Sequence, residues 1–169
     1  MANPRTKIIT PAKAPESHWL GGLLLATLLV LTPFGSATAA DSNDARVITK
    51  ISGQTLKQIL ESDGYTALAL DQDGDMTGKV DGIPFIVIIA EDHQSMMFRY
   101  AASGTKANLR KVNDWNRAKK YSRGVIDDDG DPMLELDLDL EGGVTVARVK
   151  NYFLTAIVSM KAFREDVCK

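Results

Sequence analysis

The stretch Ile83-Pro84-Phe85-Ile86-Val87-Ile88-Ile89-Ala90 governs how the rest of the chain is read. Successive side chains of a strand point to opposite sides of its sheet, so a strand with one wet face alternates apolar and polar residues. This stretch is apolar on both sides. Phe85, Val87 and Ile89 are placed to meet a core, and Ile86 and Ile88 then face the other way and need a second cover. A second subunit, a bound segment or the N-terminal helix of the chain itself would supply it, because large exposed apolar patches mark interaction sites.

Working outward, Asp81-Gly82 is a tight-turn dipeptide that joins this strand to one over Met76–Asp81. Asp71-Gln72-Asp73-Gly74-Asp75 joins that in turn to a strand over Thr66–Leu70. Further upstream Ser52 is placed to cap a helix with Leu56, Ile59 and Leu60 on one face, ended by Gly64. Downstream, Met96–Ala101 reads as a strand, and Thr105 opens a helix reaching Lys119, with Leu109, Val112, Trp115 and Asn116 along one side. Strands over Tyr121–Ile126 and Met133–Leu138 are joined by Asp127-Asp128-Asp129-Gly130-Asp131. In the second of them Leu134, Leu136 and Leu138 alternate with Glu135 and Asp137, the pattern of one buried and one wet face. A last helix begins near Thr145, and its seam of Val149, Phe153, Ala156, Met160, Phe163 and Val167 suits a helix lying along a sheet. The order is α-β-β-β-β-α-β-β-α. Its expected class is α+β, an antiparallel sheet with helices packed on one face.

The start of the chain has the layout of an export signal. Arg5, Lys7 and Lys13 precede an apolar run from Trp19 to Leu31, and Pro33 and Gly35 break it before the small residues Ala37, Ala39 and Ala40. An uncleaved anchor is the rival reading, but the run is shorter than the roughly 20 residues a spanning helix needs. Cleavage is expected between Ala39 and Ala40. The expected division is a signal peptide over 1–39, a flexible linker over 40–48 and a single domain over 49–169. The mature protein is expected in the periplasm or beyond it, with membrane contact only during export.

Composition and motifs narrow the chemistry. The chain carries 20 Lys and Arg against 22 Asp and Glu, and loss of the leader leaves the rest more acidic, which disfavours nucleic acid as a partner. Asp71, Asp73 and Asp75 have the spacing of the first ligands of a calcium loop, yet Met76 and Gly82 stand where that motif requires Gly and Glu. Asp127, Asp129 and Asp131 fail likewise, with Pro132 and Leu138 at those places. Both loops read as soluble tight turns, and no metal or other cofactor is expected. His93 is the sole histidine after the leader and Cys168 the sole cysteine. No nucleophile elbow, paired-histidine motif or glycine-rich phosphate loop is present, so the chain reads as a non-enzyme. Arg110, Arg117 and Lys120, with Lys106, Lys111, Lys119 and Arg123 nearby, make a basic surface suited to an acidic protein segment or simply to water.

The chain from Ile48 to Phe163 resembles the YbjN-domain family of bacterial sensory transduction regulators. The resemblance rests on Gly64-Tyr65, Asp73-Gly74-Asp75, Gly82-Ile83-Pro84-Phe85, Val112-Asn113-Asp114-Trp115-Asn116, Asp129-Gly130-Asp131 and Leu138-Asp139-Leu140-Glu141-Gly142-Gly143-Val144-Thr145. It implies a fold similar to that of type III secretion chaperones, and it carries over no catalytic residue. Its members are mostly cytoplasmic, so the leader is a departure. Asn113, Trp115, Asn116, Gly142 and Gly143 are expected to be structural.

The expected function is that of an exported, non-catalytic protein-binding or chaperone-like regulatory domain. Its partner would be a protein segment or a second copy in a homodimer. The candidate interaction surface is Ile86, Ile88, Arg110, Arg117 and Lys120. The alternative is a periplasmic sensor of a small molecule or metal ion.

Overall fold

A computed structural model of the protein describes residues 43–105 and 108–169. The expected signal peptide, its Ala39–Ala40 cleavage point and Lys106 lie outside the described residues. The elements run β1 (Val47–Ile48), α1 (Gly53–Ser62), β2 (Leu68–Leu70), β3 (Met76–Val80), β4 (Ile83–Ile89), β5 (Ser95–Ala101), α2 (Leu109–Ala118), β6 (Arg123–Ile126), β7 (Pro132–Asp139), β8 (Val144–Thr145) and α3 (Val146–Asp166). This is the mixed helix and antiparallel-sheet architecture read from the sequence, with two short strands added.

Those two strands correct the linker. Val47 and Ile48 pair with Thr145 and Val144. The Arg46 and Asp44 carbonyls accept from the N–H groups of Val146 and Ala147 at 3.0 Å each, at the start of α3. The first N–H groups of a helix have no partner within it, so this segment is tied down by capping them. Lys150 adds an ion pair to Asp44 at 2.7 Å.

The main sheet has strand order β2-β3-β4-β5-β7-β6, and each neighbouring pair is antiparallel. Asp81 and Gly82 both have positive φ, 52° and 77°, the two-residue turn whose twist suits a hairpin. The two acidic loops are built alike. The Asp71 carboxylate accepts from the N–H groups of Asp73 and Asp75, and that of Asp127 from those of Asp129 and Asp131. The last aspartate of each loop pins a distant strand or loop, Asp75 through the N–H of Ile89 at 2.8 Å and Asp131 through that of Gly104 at 2.9 Å. These carboxylates are committed to holding turns.

The helices pack on the sheet face that carries Val87, Phe98, Leu134 and Leu136, all buried. Phe153 of α3 meets Phe85 and Phe98 edge-on at 5.3 and 6.1 Å, and Trp115 of α2 meets Phe163 at 5.2 Å. All six seam residues of the last helix, from Val149 to Val167, are buried. Tyr152, beside that seam, puts its hydroxyl between two facing strand residues: it accepts from the Phe98 N–H at 2.8 Å and donates to the Leu136 carbonyl at 2.7 Å.

At two of the boundaries that differ from the sequence reading, the cause is visible in the backbone. α2 begins at Leu109 rather than Thr105, because the Asn108 side chain accepts from the N–H groups of Arg110 and Lys111 and starts the helix there. β6 begins at Arg123 because Tyr121 has a φ of 66°, outside the extended range.

Candidate functional site

The strand registers place one row of residues across the face that no described helix covers: Ala69, Thr77, Ile86, Arg99, Glu135 and Arg123. A second row holds Ile88, Met97 and Asp137. The two rows divide this face by chemistry. Ile86, Ile88 and Met97 form an apolar ridge on β4 and β5, each half-buried by its strand neighbours. On the β7–β6 side stands an ionic lattice.

Glu135 is the centre of that lattice. It is 6% exposed on a face that no described helix covers, because the arginines on either side cover it. Arg99 reaches one carboxylate oxygen at 2.8 Å and Arg123 the other at 2.8 Å. Arg123 also bonds Asp137 at 3.0 Å. Burial opposes ionisation of Glu135, but the hydrogen bonds from Arg123 and Arg99 outweigh it and hold the carboxyl below its usual range. The hydrogen bond to Glu135 raises Arg123 further. The lattice pairs its own charges, which leaves Ile86, Ile88 and Met97 as the apolar part of this face.

The other candidate residues lie elsewhere. Arg110 and Arg117 are exposed on α2, in the helix layer, each 3.9 Å from Asp114. Lys120 is exposed just beyond that helix. The structure therefore does not join them to Ile86 and Ile88 in one surface. Trp115 is 4% exposed and donates its indole N–H to Ser122 at 3.2 Å. Asn113 is exposed on α2. Gly142 and Gly143 take positive φ in the turn before β8, and a Cβ on Gly143 would stand 2.7 Å from the Val47 side chain.

Asn116 does something more particular. Its amide donates to the Gly124 carbonyl at 2.9 Å and accepts from the Gly124 N–H at 2.7 Å. β6 is an edge strand, and this side chain occupies its outer backbone groups as a neighbouring strand would. Gly124 allows the approach, since a Cβ there would sit 3.2 Å from Val112 on α2.

The sequence names Asn116 as a structural residue without its partner, and it does not reveal the Glu135 lattice. The signal for the lattice lay in the register, which aligns Arg99, Glu135 and Arg123 once the strands are paired. His93 is exposed in the β4–β5 turn with a φ of 62°. Among the described residues, no group of three or more His, Cys, Asp or Glu is placed to hold a metal ion. No described helix is long and apolar enough to cross a membrane.

Residues 52–169 match the YbjN family, described as "Putative bacterial sensory transduction regulator". The chain belongs to the YbjN family. No curated protein sequence matches it significantly. Among solved structures, it is similar to that of the ExsC–ExsE complex, at 12% identity and TM-score 0.52 over 67% of this chain and 90% of that one. It is also similar to that of the HopA1–SchA chaperone–effector complex, at 14% identity and TM-score 0.50 over 65% of this chain and 90% of that one. The E. coli YbjN crystal structure aligns at 15% identity and TM-score 0.49, over 73% of this chain and 99% of that one. At these identities the likeness to the two complexes is one of fold. The chain is thus an α+β member of the YbjN family whose fold is similar to those seen in the two complexes.

Proposed function

We propose that the protein is an exported, non-catalytic binding domain that holds an extended protein segment against the uncovered face of its sheet. The observation that carries this reading is the ridge of Ile86, Ile88 and Met97, apolar side chains with no described helix over them. Two solved structures of similar fold are complexes, one of them a chaperone–effector complex, which agrees with a role in holding protein. Export is inferred from the leader, with its apolar run from Trp19 to Leu31 and small residues at Ala37 and Ala39. A second copy of the chain is the other occupant that suits an apolar ridge, giving a homodimer when no segment is bound.

The test is a peptide array probed with the protein and with Ile86→Asp. Peptides of alternating apolar residues should bind the wild type and lose at least about tenfold in affinity to the variant, which keeps its fold because Ile86 lies off the core face. Light scattering should give twice the chain mass for the free wild type and a monomer for Ile86→Asp. Unchanged peptide binding, or global unfolding of the variant, would refute the assignment of this face.

A further inference from the structure

The Asp81-Gly82 turn, the end of β5 and the last turn of α3 leave between them a pocket of about 520 Å³. Its lining includes Arg164 and the hydroxyl-bearing residues Tyr100, Ser103 and Thr105, with Ile83 and Pro84 as apolar wall. Volumes of roughly 300–1,000 Å³ are those in which small ligands bind.

Arg164 stands apart from the other described arginines. Arg99, Arg110, Arg117 and Arg123 each pair with a carboxylate. Arg46 and Arg148 are exposed to water. Arg164 is partly buried beside the Tyr100 hydroxyl, and among the described residues no acid pairs with it. A guanidinium keeps its charge in every setting, so one drawn out of water without a counter-ion lacks the group its fork of donors matches. The walls narrow the choice of anion. Asp81, in the lining and paired with Lys161 at 2.5 Å, disfavours a group with several negative charges. Ile83 and Pro84 favour a ligand with a carbon body.

We propose that this pocket binds a small organic monocarboxylate, with the carboxylate on Arg164 and the apolar body against Ile83 and Pro84. The site is separate from the Ile86–Ile88–Met97 ridge, and its occupancy does not depend on what that ridge holds. Cys168 also lines the pocket and serves as a built-in reporter.

The experiment titrates the full chain with benzoate, benzyl alcohol and inorganic phosphate. It follows amide chemical shifts and the rate at which iodoacetamide alkylates Cys168. Benzoate should move the amides of Gly82, Tyr100 to Thr105 and Cys168 saturably and slow alkylation several-fold, while benzyl alcohol does neither. Arg164→Gln should weaken benzoate about tenfold or more, and Arg164→Lys, which keeps the charge but not the fork, should fall between. A linear, non-saturating response to benzoate overturns the proposal, and so does equal binding by benzyl alcohol or by both variants. Phosphate binding as tightly as benzoate overturns the monocarboxylate assignment.

Discussion

Replacing Tyr152 with phenylalanine removes one oxygen atom from the middle of the fold. That oxygen accepts from the Phe98 N–H at 2.8 Å and donates to the Leu136 carbonyl at 2.7 Å, and the residue is 3% exposed. Phe98 and Leu136 are register partners in β5 and β7, the two strands over which α3 lies. Each hydrogen bond contributes about 1 kcal/mol net, and a buried group left unpaired costs about 1–3 kcal/mol. Partial closing of the strands onto each other offsets some of this, so the expected loss is about 2 kcal/mol. For a domain of this size that corresponds to a fall of roughly 8 °C in Tm. Thermal unfolding by circular dichroism measures it, and hydrogen exchange at the Phe98 amide should quicken in parallel. Burial raises the Tyr152 pKa far above its ordinary value, so the stability its neutral phenol contributes is whole below about pH 10 and is lost only as pH rises beyond it. A Tm within about 2 °C of wild type, with Phe98 exchange unchanged, would refute the claim that this hydroxyl bridges the strands.

Asn116→Ala frees both outward backbone groups of Gly124, so it should cost about 1–2 kcal/mol and produce concentration-dependent self-association in sedimentation. Asn116→Asp can accept from the Gly124 N–H but not donate to its carbonyl, and should fall between wild type and Ala. The lowered pKa of Glu135 means that its contribution to stability is present above the ordinary carboxylate range and is lost as pH falls through and below that range. Glu135→Gln should therefore be less stable at pH 7 and show a flatter decline of Tm toward acid; an unchanged acid slope would contradict the lattice.

Much of the fold was legible because it follows from periodicity. The seam from Val149 to Val167 and the alternation of Leu134, Leu136 and Leu138 each name a buried face without any partner being known. The Asp81-Gly82 turn was legible for a related reason, since few residues accept two successive positive φ angles. What the sequence concealed depends on distant pairing. Val47 and Ile48 sit in a polar stretch and become a strand only because β8 and the open N-terminus of α3 need partners. The sequence groups Arg110, Arg117 and Lys120 with Ile86 and Ile88 as one candidate surface, yet α2 lies in the helix layer and the isoleucines face the opposite way. The basic run and the apolar ridge thus share a sheet but not a face. Asn116 was visible as a motif residue, but its role needs the 2.7 Å contact with a strand eight residues further on.

Isoleucine methyl spectra of the protein, recorded with and without its tightest-binding array peptide, test the central claim most directly. The account predicts that the Ile86 and Ile88 methyl signals shift on binding while that of Ile157, buried on α3, stays in place. Saturable binding that leaves Ile86 and Ile88 unmoved would contradict it.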